Sequence, residues 1–349
     1  MKTPITIISI DKIINTFIIF KLYHKFLGTL TAQYGRSEQP LLDFRLYKNS
    51  DRFSLKKVRS GVVVFCRFYI RKMNSLLNLK YFEELNNNGI TKVQNFLSSE
   101  ELEKIKNIIS FYSAPKGHKN SYWPTNLRLL LYKVIKLNFK KLSESLYFLN
   151  LAKKKKLNEF SNKFFKEKSY LGYIDAYCSE ISDKEIISWH TDQSYGDDTV
   201  PYKGGEKLSD GYVNPDHFFL KFFIYLTDVG PDDGVMNYIT ESHKIGYAIR
   251  KGVFEGKIPY QRYWNLKDFR KLVFKKENEN YFQNYFKDKG LIDRFLSKTE
   301  FINKNVDEHK FNYKMNAGDA IIFNEGGVHR GSKTLYNKRM ILRYMYSIK

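Results

Sequence analysis

The periodicity of apolar and polar residues changes along this chain, and this change divides the chain into two parts. The first part is helical, because apolar residues recur at helical spacing over residues 81–88 and again over residues 126–170. The first of these helices is predicted to stop at Asn88-Gly89, and residues 90–93 form a short strand. Ser98 predicts another helix start, because serine caps helices and the acidic residues after it suit the positive helix end.

Strand patterns prevail from about residue 170 onward. Residues 218–229 form the strongest predicted strand, which ends in the dense turn signal of residues 230–234. Two further strands are predicted over residues 318–323 and 339–346. Residues 247–308 lie between these strands and are polar, aromatic and mostly helical. We interpret this stretch as an insertion or lid, and helical core packing outside any site is the alternative interpretation.

Length and composition favour one large domain with an appendage, and the cysteine content indicates the redox compartment. The 349 residues, 42% of them hydrophobic, suffice for a sizeable core. We expect a main domain over residues 79–349 and an N-terminal extension over residues 1–78. The two cysteines, Cys66 and Cys178, have neither zinc-site spacing nor the number that a disulfide framework needs. A reducing compartment, and so a cytoplasmic location, is therefore expected.

Positive charge is concentrated near the N-terminus. The formal net charge is +22, and residues 1–80 carry 15 lysines and arginines against 4 acidic residues. Such a region suits an anionic membrane surface, so peripheral membrane contact by an amphipathic N-terminal segment is one interpretation. A compositional bias toward lysine, asparagine and isoleucine is the other, which we favour, and nucleic acid is not an expected partner. No run of 18 apolar residues occurs, so no transmembrane helix is predicted.

Three residues carry the chemistry that the sequence predicts. His190 and Asp192 lie two positions apart in an extended segment, so their side chains project to the same side. A second histidine, His329, lies near the C-terminus in a glycine-rich stretch. Two imidazoles and one carboxylate on one face of a metal ion leave the opposite positions open, which is typical of non-haem Fe(II) oxygenases. Arg339 follows His329 by ten residues, and its guanidinium can pair with the distal carboxylate of 2-oxoglutarate.

Ligands from distant segments must meet in space, and this requirement selects a fold. A double-stranded β-helix, or jelly roll, gathers loop residues from both of its sheets at one mouth. We therefore predict an α+β protein in which a cupin-like jelly roll is flanked by helices and preceded by the N-terminal extension. Helices from the first part of the chain are expected to cover the outer face of one sheet.

The order of these motifs resembles the phytanoyl-CoA dioxygenase family of Fe(II)/2-oxoglutarate oxygenases over roughly residues 80–349. Residues 189–192 (Trp-His-Thr-Asp) are similar to the metal-binding triplet of that family. Residues 318–331, followed by Arg339, are similar to its distal ligand and its cosubstrate arginine.

A central block adds to the resemblance. Residues 221–229, the later Asp233-Gly234 pair and the triplet Glu241-Ser242-His243 occur in the family's order. Glu241 departs from the pattern, which usually has glycine at that place. His243 matches a turn histidine of the family that is not a metal ligand, so it is not included in the site.

The resemblance implies a function and a set of site residues. His190, Asp192 and His329 would bind Fe(II), and Arg339 would hold 2-oxoglutarate as cosubstrate. Halogenating relatives lack the carboxylate, so Asp192 favours hydroxylation of a C–H bond, with release of succinate and CO₂. The expected partners are dioxygen and a small-molecule substrate, such as a biosynthetic intermediate. Further residues expected in the cosubstrate pocket are Ser332, Tyr177, Tyr173, Lys221 and Phe223.

Two other classes of function stay open at the level of sequence. One is a non-catalytic jelly-roll binding module that retains the metal ligands without turnover. The other is a basic, surface-associated protein that acts through its N-terminal region. Anaerobic binding of Fe(II) and 2-oxoglutarate distinguishes the first from an oxygenase, and salt-dependent binding by the N-terminal region supports the second.

Overall fold

Antiparallel pairing organises the strands into one large sheet and one small sheet. The computed structural model describes residues 76–110, 119–125, 138–192, 219–259, 265–300 and 313–348. Their strands are β1 (Ile90–Val93), β2 (Lys119–Trp123), β3 (Tyr170–Ser179), β4 (Ile187–His190), β5 (Leu220–Tyr225), β6 (Met236–Tyr238), β7 (Ala320–Asn324), β8 (His329–Gly331) and β9 (Arg339–Ser347). The large sheet has the order β1-β7-β5-β9-β3-β2, and the small sheet has the order β4-β8-β6.

The described helices form two groups in the sequence, one before strand β3 and the other between strands β6 and β7. The first group is α1 (Leu79–Asn88), α2 (Ser99–Ser110), α3 (Phe139–Lys154) and α4 (Leu157–Phe165). The second group is α5 (Ser242–Phe254), α6 (Leu266–Phe274), α7 (Lys276–Tyr285) and α8 (Leu291–Lys298). No helix in the described ranges is long and apolar enough to cross a membrane. Of the predicted extension, residues 1–75 lie outside the described residues.

The sequence signals at the first two helices are confirmed. Helix α1 ends at Asn88, and Gly89 adopts a left-handed φ of 82° while its N–H donates to the Leu85 carbonyl. Ser98 and Glu101 form a reciprocal cap at the start of α2. The Ser98 N–H donates to Glu101 Oε2 at 2.9 Å, and the Glu101 N–H donates to Ser98 Oγ at 3.2 Å.

Alternating residues of strand β5 belong to two different hydrophobic cores, one on each face of the large sheet. Phe222 and Ile224 face the first helical group, where they join a core with Phe160 and other residues of α1–α4. Phe223 and Tyr225 face the other way and pack with residues of the small sheet, including Met236 and Tyr238. The prediction that helices from the first part of the chain cover one sheet face is therefore confirmed.

The helical content predicted for residues 247–308 is confirmed in its described part. Helices α5–α8 enclose a core of their own that includes Ile249, Phe269 and Phe295. Trp189 and Val328 belong to the same core, and each immediately precedes a predicted metal ligand. The segment thus packs behind strands β4 and β8, as the alternative to the lid interpretation expects. A role as a lid stays a prediction.

Candidate metal centre

Cross-strand pairing brings the two predicted histidine ligands together. His190, the last residue of β4, lies directly opposite His329, the first residue of β8. Opposite residues of an antiparallel pair hold their side chains side by side, and here the two ring centroids are 4.5 Å apart. The two histidines lie far apart in the sequence, but they are direct cross-strand neighbours in the small sheet.

Backbone carbonyls orient both imidazoles. His190 Nδ1 lies 2.6 Å from the Ser188 carbonyl oxygen, and His329 Nδ1 lies 2.9 Å from the Gly327 carbonyl oxygen. A carbonyl only accepts hydrogen bonds, so each Nδ1 carries a proton and Nε2 is the nitrogen that can bind a metal. Metal-ligating histidines commonly donate their other ring N–H to a carbonyl in this way.

Asp192 completes the group just beyond the end of β4. Its Oδ1 lies 3.5 Å from His190 Nε2, and its Oδ2 lies 3.0 Å from His329 Nε2. One ligand atom from each of the three residues lies within 4.8 Å of the others, so one metal ion fits among them. The donor set, two imidazole nitrogens and a carboxylate, suits a divalent transition metal.

The protonation states agree with ligation. Burial by itself raises the pKa of Asp192, but Lys221 and the two histidines outweigh that effect and hold this pKa well below its usual range. Burial lowers the pKa of His329 despite the nearby Asp192 carboxylate, so the ring is neutral at pH 7. A metal ion needs ligands in these deprotonated forms.

A cavity of about 310 Å³ opens in front of the three ligands. Both sheets contribute to its wall, which includes Tyr177, Ile186, Ile187, His190, Asp192, Phe223, Met236, His329, Arg330, Gly331, Arg339 and Arg343. No described residue of helices α5–α8 is among these lining residues. The cavity therefore lies between the sheets, and aromatic, aliphatic and guanidinium groups line it.

Arg339 has unused hydrogen-bonding capacity inside this cavity. The residue is buried, and its Nη1 donates to the Gly234 carbonyl at 2.6 Å. Its Nε is buried without a hydrogen-bond partner. In the described part of the chain, no carboxylate lies within ion-pair distance of Arg339. A buried guanidinium with a free donor fits an anionic ligand.

Of the residues predicted for the cosubstrate pocket, Tyr177 and Phe223 line this cavity, and the other three lie elsewhere. Tyr173 is 48% exposed and contacts Phe219 instead, because the first half of β3 extends beyond the cavity. Ser332 is buried with its Oγ near the Lys333 carbonyl, and it does not line the cavity. Lys221 lies behind Asp192 and ion-pairs with it at 2.6 Å rather than lining the cavity.

Sequence reasoning missed two arginines of the cavity wall. Arg343 lies four residues after Arg339 on β9, so strand alternation puts it on the same face. Its Nε and Nη2 donate to both oxygens of buried Asp175, at 2.8 Å and 2.5 Å. Arg330 follows His329 and ion-pairs with Glu185 at 2.8 Å. The alternation along β9 was a usable signal for Arg343.

Close backbone packing fixes the loop that leads to His329. Gly246 of α5 and Gly327 leave no room for a side chain: an added Cβ would overlap the Gly326 carbonyl oxygen at Gly246 and the Tyr238 hydroxyl at Gly327. Ser242 Oγ accepts a hydrogen bond from the Val328 N–H at 2.7 Å. We call this set of contacts, from residues 238, 242, 246 and 324–328, the His329 cradle.

Comparison with known proteins finds weak structural likeness only. No family model and no curated protein matches the sequence. HygX from Streptomyces hygroscopicus, solved with nickel and 2-oxoglutarate, is 14% identical with a TM-score of 0.47, covering 78% of this chain and 86% of its own. EvdO2 from Micromonospora carbonacea var. aurantiaca, complexed with 2-oxoglutarate, is 10% identical with a TM-score of 0.43, covering 79% and 92%. The carbocyclase SnoK from nogalamycin biosynthesis is 13% identical with a TM-score of 0.43, covering 78% and 84%.

Proposed function

We propose that this protein is an Fe(II)- and 2-oxoglutarate-dependent oxygenase that hydroxylates a C–H bond of a small molecule. One observation carries the proposal: two histidines and an aspartate present convergent ligand atoms to a cavity that also contains a buried arginine whose Nε has no hydrogen-bond partner. The reaction would release succinate and CO₂. A phytanoyl-CoA dioxygenase-like jelly roll, with the two sheets as its halves, is the fold that we propose for this site.

His190, Asp192 and His329 would hold the iron on one face. Bound iron with 2-oxoglutarate and dioxygen supplies the oxidising power that no side chain has. The chain's own contribution is geometric, since the Nδ1 contacts to Ser188 and Gly327 fix both rings with Nε2 toward the cavity. Trp189 and Val328, in the core behind the ligands, keep that side closed to water.

Arg339 is our candidate for binding the distal carboxylate of 2-oxoglutarate. Arg343 faces the same cavity, but Asp175 already neutralises it through two hydrogen bonds. Arg339 retains a donor without a partner, and a bidentate carboxylate contact would satisfy it. The ring of Tyr177 lies between the two guanidiniums and restricts where each can move. Its centroid is 5.3 Å from the Arg339 guanidinium carbon and 5.7 Å from that of Arg343.

The size of the cavity supports a small-molecule substrate. A volume of about 310 Å³ is at the lower end of the range for small-molecule sites. Ile186, Ile187 and Met236 supply apolar surface beside the ligands. This composition suits a compact organic substrate beside the cosubstrate, and the cysteine content suits a reducing compartment such as the cytoplasm.

Anaerobic binding followed by turnover tests the proposal. The full-length protein is titrated with Fe(II) and then 2-oxoglutarate, and we expect the visible charge-transfer band of the chelated complex. Addition of dioxygen with a panel of metabolites should then give substrate-dependent succinate. The variants His190→Ala and His329→Ala should lose both signals, with circular dichroism as the control for folding. Binding without succinate for any metabolite would favour the non-catalytic module, and no band would overturn the proposal.

A further inference from the structure

Lys221 is a buried cation placed against one of the candidate metal ligands. It lies in β5 and is 3% exposed. Its Nζ is 2.6 Å from Asp192 Oδ2 and 3.1 Å from Glu325 Oε2. Lysine is almost never fully buried unless it is paired, so these two carboxylates account for its position. In the part of the chain that the structure describes, no other lysine or arginine is within ion-pair distance of Asp192.

Glu325 anchors this ammonium from the side away from the ligands. It is 5% exposed, and its Oε1 accepts a hydrogen bond from the Phe219 N–H at 2.8 Å. The Glu325 backbone also contacts Asp192, whose N–H donates to the Glu325 carbonyl at 3.3 Å. Lys221, Glu325 and Asp192 are thus tied to one another through both side chains and backbone.

A role in stabilising the fold does not by itself explain why a lysine occupies this buried position. Every other residue of β5 is apolar and buried, and an apolar residue at position 221 would avoid the desolvation of an ammonium. Replacing buried ion pairs with apolar residues is often neutral or stabilising. What an apolar residue cannot do is hold one chosen oxygen of Asp192.

We propose that Lys221 is a positioning residue that makes Asp192 bind the metal through a single oxygen. The inference rests on the proposed function. Both Asp192 oxygens lie near a ligand nitrogen, Oδ1 at 3.5 Å from His190 Nε2 and Oδ2 at 3.0 Å from His329 Nε2. A strong charge-assisted bond from Nζ to Oδ2 leaves Oδ1 as the oxygen available to the metal.

Single-oxygen binding would have a consequence for the reaction. An ion held by His190, His329 and one Asp192 oxygen would keep positions open for ligands other than the protein. Ligation by both Asp192 oxygens would take up one of these positions. Lys221 would therefore keep room on the ion for the cosubstrates.

The decisive variant removes the ammonium together with the buried carboxylate that pairs with it. Lys221→Met alone would leave the buried Glu325 carboxylate without this cation, so we combine it with Glu325→Gln. The glutamine Oε1 can still accept the hydrogen bond from the Phe219 N–H. Lys155→Met is the matched control, because Lys155 forms a 2.7 Å ion pair with Glu101 on the first helical group, away from the site.

Metal binding without cosubstrate is the first readout. We expect the Co(II) dissociation constant of the double variant to rise about 10- to 100-fold, as is common for loss of a group that orients a ligand. With Mn(II), water-proton relaxation should report fewer bound waters than in the unchanged protein. Lys155→Met should alter neither measurement. Unchanged Co(II) affinity and unchanged water number in a folded double variant would overturn the inference.

A structure of the unchanged protein loaded with Mn(II) tests the same point if the double variant does not fold. The expected result is ligation by Asp192 Oδ1 alone, with Oδ2 still bonded to Lys221 Nζ. Ligation by both oxygens, or displacement of Lys221, would overturn the inference while the oxygenase proposal stands. Failure of the unchanged protein to bind Co(II) or Mn(II) would instead remove the proposed function itself.

Discussion

Two arginines of strand β9 face the same cavity, and they differ in the hydrogen-bond partners that they already have. Both share the inner face because they lie four residues apart on the strand. Arg343 is engaged by Asp175, a residue 168 positions away in the sequence, whereas Arg339 Nε has no partner. Sequence spacing pointed to Arg339, but only the long-range pair explains why Arg343 is the weaker candidate for the cosubstrate.

Truncation of Arg339 should therefore weaken cosubstrate binding selectively. A lost charge-assisted pair is worth about 1.5–3 kcal/mol, so Arg339→Ala should raise the 2-oxoglutarate requirement about 10- to 150-fold. Arg339→Lys should recover only part of it, because an ammonium lacks the planar fork. Anaerobic titration of the Fe(II)-loaded variants measures this directly. Arg294→Ala, at an exposed ion-pair cluster, is the control. Equal 2-oxoglutarate affinity in all variants would transfer the role to another residue.

At the scale of elements, helix α5 supports the metal centre from behind through the His329 cradle. Gly246 brings the helix close to the Gly326 carbonyl, and Ser242 Oγ receives the Val328 N–H. The ring of Tyr238 stacks on His329, with 6.2 Å between centroids and 19° between planes. The orientation of one candidate metal ligand, His329, thus depends on a helix none of whose described residues lines the cavity.

A methyl group at position 246 should disturb the ligand without touching the cavity. Gly246→Ala forces α5 away from Gly326, and such overpacking typically costs about 1–3 kcal/mol of stability. We expect weaker Co(II) binding as well, because His329 follows the displaced loop. Gly230→Ala is the matched control, since no atom lies within 4 Å of its added Cβ. Denaturant unfolding and Co(II) titration measure both effects, and full affinity in Gly246→Ala would refute the role of the cradle.

Glu241 ties the start of helix α5 to a neighbouring helix, from a position whose backbone suits glycine. The residue precedes α5 with a left-handed φ of 71°, a conformation that suits glycine. Its carboxylate instead contacts Arg294 at 2.9 Å and Lys298 at 2.8 Å, which ties the start of α5 to α8. These hydrogen bonds, led by the one from Arg294, lower the pKa of Glu241 from 4.5 to about 2.

This pKa predicts a pH dependence of stability. Because the folded pKa of Glu241 is depressed, its contribution is complete above pH 4.5 and is lost as the pH falls toward about 2. Glu241→Gln should therefore cost about 1 kcal/mol at pH 7, given its partial exposure, and much less near pH 2. Urea unfolding of both proteins across this range measures the difference. Glu277→Gln removes an exposed partner of Lys275 and should have no such effect. A constant difference between Glu241→Gln and the unchanged protein at every pH would contradict the assignment.

For the whole molecule, the sequence predicted correctly which face of a strand a side chain occupies. It did not predict which residues along that face reach the cavity. Alternation placed Tyr173 and Tyr177 on one face of β3, but only Tyr177 meets the cavity, because the strand extends past it. Lys221 also has the predicted inward direction, yet it contacts Asp192 rather than the cavity. The grouping of His190, Asp192 and His329 was predictable from residue type and spacing. The ion pairs around them were not, because they join residues far apart in the chain.

The site and its supports should function without the N-terminal region. Every contact described above lies within residues 76–348, and the chain from Cys66 to Lys349 forms one compact unit. A protein beginning at Cys66 should therefore fold and bind Co(II) and 2-oxoglutarate as the full chain does. Titrations and thermal unfolding of both proteins provide the measurement. If the basic residues before position 66 serve an anionic surface, only the full chain will bind acidic vesicles, and salt will release it. Loss of Co(II) binding in the folded shorter protein would instead mean that the N-terminal region is part of the site.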